Sequence, residues 1–232
     1  MRNKFDQELD LLNTELIEMG ALIETAIDRA VGALFKKDEK LAESAIEFDL
    51  EVDRKEHEIE TRCLQLLLRQ QPVARDLRVI SAALKMITDM ERIGDQAGDI
   101  AEITLRLSEG VDLRRIEHIN AMAKATVRMV TDAINAFVAR DLRLAGEVEQ
   151  RDDEVDALFV TVRDDLIALV RDGTEDAGAV IDLLMIAKYF ERIGDHAVNI
   201  AEWVIFSITG VHGNAVHGNA DHLSTDPEVT AD

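Results

Sequence analysis

Carboxylates able to hold a cation recur at a fixed spacing in two stretches of this chain. Glu91, Asp95 and Asp99 lie in the segment Glu91 to Glu102; Glu191, Asp195 and Asn199 lie in Glu191 to Glu202. The two segments are 100 residues apart and share nine of their twelve positions. On a helix, a spacing of four drifts only about 40° per step, so each set stands in one column on one face. Like charges at that spacing destabilise a helix by about 0.2 to 0.5 kcal/mol per pair. The mid-helix glycines Gly94 and Gly194 cost about 1 kcal/mol each against alanine. Basic partners, bound cations, or a close helix approach that only glycine permits would compensate.

A second acidic row precedes each column. Asp49, Asp53, Glu56 and Glu60 follow i, i+4, i+7, i+11, again a single helix face. Residues equally far from the turn of an antiparallel hairpin lie at one height. With Pro72 as the turn, Asp53 and Glu91 are each 19 residues from it, and Asp49 and Asp95 each 23. With a turn near Gly173, Asp156 faces Glu191 and Asp152 faces Asp195. Four carboxylates are thus expected to converge in each half. Helix axes pack about 8 to 10 Å apart, so such clusters repel unless cations bridge them. An oxygen-only ligand set suits Mg²⁺, Ca²⁺, Mn²⁺ or iron rather than structural Zn²⁺. A solvated acidic face, relieved by Arg92, Arg192 and neighbouring helices, is the other reading. The second cluster carries less charge, since Phe159 and Arg163 stand where the first has Glu56 and Glu60. His196 replaces Gln96 and is either an added nitrogen ligand or a surface residue.

Six helices are needed to position these rows. Phe5, Leu9, Leu12, Leu16, Met19, Ile23, Ala26, Ala30 and Ala33 alternate spacings of four and three, a heptad seam from about residue 3 to Lys36. Asp38 is placed to cap the second helix, which reaches about Gln70. Pro72 suits the first turn of the third, which ends near Gly110. Asp112 caps a fourth, with the stripe Ile116, Ile119, Ala123, Val127, Val130, Ile134 and Phe137. Asp141 opens the fifth, to about Arg171; Gly173 closes it and Thr174 starts the sixth, which Gly210 ends. The pairs Asp38/Asp141, Glu91/Glu191 and Gly110/Gly210 mark an internal duplication. The expected fold is all-α: two tandem three-helix bundles, residues 1–110 and 111–210, then a flexible tail, 211–232, carrying His212, His217 and His222.

Composition narrows the function classes. With 47 acids against 26 bases the formal charge is −21, which repels phosphate backbones and argues against nucleic-acid binding. Cys63 is the sole cysteine, so neither a disulfide framework nor a thiolate metal site is available. No apolar run approaches the roughly 20 residues of a membrane span, and the N-terminus reads as an amphipathic helix rather than a signal peptide. A cytoplasmic protein is expected.

The two acidic ladders, Glu91-Asp95-Asp99 and Glu191-Asp195-Asn199, each preceded by Asp49/Asp53 or Asp152/Asp156 within a three-helix repeat, resemble the PhoU family of phosphate-uptake regulators. The resemblance spans residues 1 to about 210. It implies two three-helix bundles, commonly dimeric, with multinuclear iron or other metal clusters on the ladders. By position, Asp49, Asp53, Glu91, Asp95 and Asp99 would form one metal face, and Asp152, Asp156, Glu191, Asp195 and Asn199 the other. It also implies a negative regulator that couples the phosphate-specific ABC transporter, through its ATPase component, to the sensor histidine kinase of the phosphate regulon. Membrane association would then arise only through those partners.

Two further readings stay open on the residues alone. A carboxylate-bridged oxidase or metal hydrolase would use the same clusters, but no histidine here has Glu three residues before it, as paired di-iron helices require. No Gly-x-Ser-x-Gly or phosphate loop is present. A metal-free coiled-coil adaptor is the third reading.

Overall fold

A computed structural model describes residues 2–70, 72–107, 117–173 and 176–212. They form six long helices: α1 (Arg2–Lys36), α2 (Glu39–Gln70), α3 (Ala74–Arg106), α4 (Glu117–Ala139), α5 (Leu142–Arg171) and α6 (Ala177–Thr209). No strand occurs among the described residues. Helices α1 to α3 pack as one bundle and α4 to α6 as another, and the bundles join along α3 with α6 and α1 with α4.

The heptad seam of α1 is the spine of the first bundle. Leu12, Leu16, Met19, Ile23, Ala30 and Ala33 are all fully enclosed; the large side chains up to Ile23 give way to Ala26, Ala30 and Ala33, which let the helices approach closely at the end of α1. In α4, Ile119, Ala123, Val130, Ile134 and Phe137 are buried, as the stripe predicts; Val127 is only partly covered, and Ile116 lies outside the described residues. Arg62 on α2 crosses to α1 as a two-pronged ion pair with Glu15, Nε to Oε2 at 2.5 Å and Nη2 to Oε1 at 2.6 Å. Glu15 is 9% exposed, so this pair fixes the rotation of α2 against α1. Lys55 likewise reaches Glu18 on α1. The basic side chains Lys55 and Arg62 are therefore spent on α1 and turned away from the acidic row of α2.

The turns repeat between the halves. Lys37 and Arg140 both take left-handed backbone, at φ 52° and 54°, and in each the following N–H reaches back five residues, Asp38 to Ala33 and Asp141 to Ala136. Asp38 then accepts from the Leu41 N–H and Asp141 from those of Arg143 and Leu144, the N-caps expected. Gly210 closes α6 at φ 82°. Three boundaries differ from expectation. Pro72 precedes α3 instead of opening it, with Val73 at the cap. Asp176 caps α6, where its carboxylate accepts from Gly178 and Ala179, and Thr174 lies outside the described residues. Helix α3 stops at Arg106, while Gly110, Asp112 and the tail beyond His212 also lie outside them.

Helices α3 and α6 run antiparallel about a pseudo-two-fold axis. His196 Nδ1 and Asn199 Nδ2 meet Asp89 Oδ1 at 2.8 and 3.1 Å. At the repeat-related position Asp99 accepts a hydrogen bond from Tyr189. Each junction thus pairs an acid with a neutral or titratable donor from the other bundle.

Gly94 and Gly194 sit where these helices meet their hairpin partners. A Cβ on Gly94 would stand 3.0 Å from both Asp49 Oδ1 and Val52 Cγ1 and 3.3 Å from Val52 Cβ; one on Gly194 would meet nothing closer than 3.4 Å. Gly94→Ala is therefore expected to lower stability by about 1 kcal/mol, overpacking outweighing the gain in helix propensity. Gly194→Ala should be neutral or add up to about 1 kcal/mol. Urea unfolding of both variants in chelator-treated buffer checks this; equal effects would mean the two hairpins are equally tight.

Candidate metal centre

The two faces predicted to meet do so in the first bundle. One carboxylate oxygen from each of Asp49, Asp53 and Asp95 lies within 4.8 Å of the others. Glu91 joins from α3, close enough that Asp53 and Glu56 both push its carboxyl upward after burial has done so. Further along α2, ligand atoms of Glu56, His57 and Glu60 also fall within 4.8 Å of one another. Sequence periodicity places Glu56 and Glu60 on this face; His57, mostly exposed, comes into reach because it is adjacent to Glu56.

Burial and like charge act together on Asp49. Its carboxyl is raised to about 6, first by desolvation, then by Asp53, Asp95, Glu91 and Asp99. Its Oδ1 is buried without a hydrogen-bond partner, the oxygen that the missing Gly94 side chain leaves room for. An orphaned buried carboxylate oxygen costs about 1 to 3 kcal/mol or more. Arg92 is the basic residue that answers this face, at 3.3 Å from Glu91 and 2.8 Å from Asp95, and it is 58% exposed. One solvated guanidinium against Asp49, Asp53, Glu91 and Asp95 leaves a net negative pocket. The donor set is all oxygen, several carboxylates converge from two rigid helices, and one oxygen lacks a partner. These features fit a hard divalent or trivalent cation.

Asp99 stands at the edge of this face. It contributes to the field on Asp49, but its hydrogen bond comes from Tyr189 across the bundle junction. Asn199, its counterpart, is turned to Asp89, and so is His196, which is half-buried and engaged across the junction rather than ligating or lying free on the surface.

The second bundle repeats the arrangement with a substitution of charge. Asp152 matches Asp49: raised to about 6 by burial, then by Asp156, Asp195 and Glu191, with a buried Oδ1 lacking a hydrogen bond. Asp195 is raised by burial and Glu191, but Lys188 opposes the shift. Lys188 forms an ion pair with Glu191 and lies 5.6 Å from the centroid of the Phe159 ring. The first bundle has Thr88 and Glu56 at these positions. Lys188 was not evident from the acidic motifs; aligning the repeats residue by residue exposes it. Among the described residues, no three ligand atoms of the second face converge as those of Asp49, Asp53 and Asp95 do. Cys63 is buried, its thiol pushed up to about 12 chiefly by desolvation, and is therefore inert as a nucleophile.

A family model described as "PhoU domain" matches residues 16–104 and 119–204, so that each match contains one acidic face. The "Phosphate-specific transport system accessory protein PhoU homolog" of Clostridium acetobutylicum is 37% identical over 210 residues, covering 90% of this chain and 96% of that protein. The homologue from Aquifex aeolicus is 36% identical over 189 residues, 82% of this chain and 86% of its own length. The crystal structure of PhoU from Pseudomonas aeruginosa superposes with a TM-score of 0.83 at 35% identity, covering 89% of this chain and all of that one. The phosphate transport system regulatory protein PhoU from Streptococcus pneumoniae gives 0.84 at 28%, with 90% and 99% covered.

The raised carboxyls give a signed dependence on pH. A carboxyl whose folded value lies above its unfolded one binds more protons in the fold, so stability falls as pH rises between the two values. For Asp49 and Asp152 that interval runs from the ordinary 3.8 to about 6. Metal-free protein should thus melt at higher temperature near pH 5.5 than near pH 7.5, and saturating Mn²⁺ should narrow the difference. Differential scanning calorimetry at both pH values checks this; an apo protein more stable at the higher pH contradicts it.

Proposed function

The chain belongs to the PhoU family, and on that premise we propose that it is a cytoplasmic, non-enzymatic negative regulator of phosphate uptake and phosphate-regulon signalling. Its output is protein contact, with the ATPase component of the phosphate-specific ABC transporter and with the regulon's sensor histidine kinase, and it works as a homodimer. The observation that carries the reading is the family match over both bundles, together with relatives named as accessory proteins of the phosphate-specific transport system. No helix among the described residues is long and apolar enough to cross a membrane, which agrees with membrane contact only through partners.

The acidic faces are proposed to hold metal ions, iron, Mn, Mg or Ca, in a site that can bridge more than one. Asp49, Asp53, Glu91 and Asp95 are the principal ligands of the first, with Asp99 at its edge. Asp152, Asp156, Glu191 and Asp195 are those of the second, with Asn199 turned away. A bound cation supplies the positive charge that neutralises the repelling carboxylates. The chain's own contribution is to hold α2 to α3, and α5 to α6, at the spacing that keeps those oxygens together. A family member built this way presents rigid hairpins whose outer surface depends on the ions beneath it.

Two measurements test this. Elemental analysis of untagged protein purified without chelator should find metal, mostly lost in Glu91→Gln/Asp95→Asn and less reduced in Glu191→Gln/Asp195→Asn. Absence of metal in the parent after incubation with Mn²⁺, Fe²⁺ and Mg²⁺ would leave a dry acidic face. Deleting the gene should leave phosphate-regulon expression high in phosphate-rich medium, and the wild-type gene should restore repression. Repression that persists in the deletion strain would remove the regulatory reading.

A further inference from the structure

Arg75 and Arg78, in the first turns of α3, and Arg140, just past the end of α4, form a cationic group in an otherwise strongly acidic chain. They are close enough that, after burial, the charges of Arg75 and Arg78 hold the Arg140 guanidinium below its usual range. None of the three has an ion-pair or hydrogen-bond partner among the described residues, and Arg78 Nε is buried without one. Arg78 packs at the end of α6, where a Cβ on Gly210 would stand 3.6 Å from its Cδ. The N-terminus of α3 has no side-chain cap, so its first amides add partial positive charge on the same side.

The bundle architecture does not require these arginines. The internal duplication pairs Arg75 with Glu175, Arg78 with Gly178 and Arg140 with Lys37, so the repeat-related end lacks the group. Three like charges held together with no direct ion pair among the described residues are unfavourable, and planar guanidinium forks are the side chains best matched to phosphate oxygens.

A cavity of about 290 Å³ opens beside them, lined by Arg75 and Arg140 together with Asp6, Asp10, Asn13 and Asp76. That volume lies near the lower end of small-molecule sites and exceeds what a lone phosphate fills. Inorganic phosphate would also face Asp6 and Asp10 of α1 and Asp76 of α3. A molecule with an oxyanion at one end and hydrogen-bond donors at the other meets both sets of residues.

We propose that this cavity binds a small phosphorylated molecule, its oxyanion held by Arg75 and Arg140, and its hydroxyl or amino groups turned to Asp6, Asp10, Asn13 and Asp76. The site is separate from the acidic faces and does not depend on their holding metal. Isothermal titration of chelator-treated full-length protein with ribose 5-phosphate, glycerol 3-phosphate, adenosine monophosphate, inorganic phosphate and ribose tests it. At least one organic phosphate should bind with Kd below about 1 mM, inorganic phosphate at least tenfold more weakly, and ribose not measurably. Arg75→Gln and Arg140→Gln should each weaken binding about tenfold or more, and Arg140→Lys, which keeps the charge but loses the fork, should weaken it too. Asp6→Asn/Asp10→Asn should narrow the gap by tightening inorganic phosphate, while Arg92→Gln changes nothing. Absence of binding by all three organic phosphates, equal binding of inorganic phosphate, or binding undiminished in Arg75→Gln would overturn the proposal. Because the protein is metal-free throughout, such a failure would leave the metal reading standing.

Discussion

The closeness of α2 to α3 at Gly94 is the constraint on which the first bundle's chemistry depends. The hydrophobic seam of α1 and the buried pair of Arg62 with Glu15 set the rotation of α2. That rotation turns Asp49 inward, and only a glycine opposite leaves its Oδ1 room. The carboxylates are thus forced together by packing rather than by attraction. Burial strengthens their mutual repulsion because charge is screened less away from water. A face built this way is poised for a cation: the unfavourable part of assembling the ligands is already met by apolar burial elsewhere in the fold.

The second bundle reaches a different balance with the same backbone. Lys188 brings an ammonium to Glu191, and Phe159 provides a ring beneath it where the first bundle has a further acid. A tethered cation competes for the same oxygens that an ion would use. The wider clearance at Gly194 and the looser ligand grouping agree with that partial self-neutralisation. Duplication has yielded one face that is electrostatically open and one that is partly closed.

Much of this was legible in the sequence, because long helices report themselves. The α1 heptads, the Asp38 and Asp141 caps and the Gly210 stop depend on local chemistry, and residue counting about Pro72 brought Asp49 and Asp53 opposite Asp95 and Glu91. Pro72 still fell two positions before α3, since the same fixed φ serves a preceding extended residue as well as a first helical one. What the sequence hid was contact between bundles. His196 next to Asp195 reads as a ligand or a surface group until α3 and α6 are docked, when Asp89 claims it. The arginine group was equally invisible, because Arg140 lies 62 residues beyond Arg78 on another element and the three share no motif.

The α3 and α6 junction carries a consequence for ancestry. A single-bundle precursor pairing with its own copy would set identical residues about the axis. With the first bundle's residues, Asp89 would face Asp99 at both junctions, two carboxylates opposed twice over; with the second's, Tyr189 would face Asn199. In the fused chain each Asp instead meets a donor from the opposite half. Divergence at these positions has made the halves complementary rather than interchangeable, so the present chain has a left and a right that its duplicated ancestor did not need.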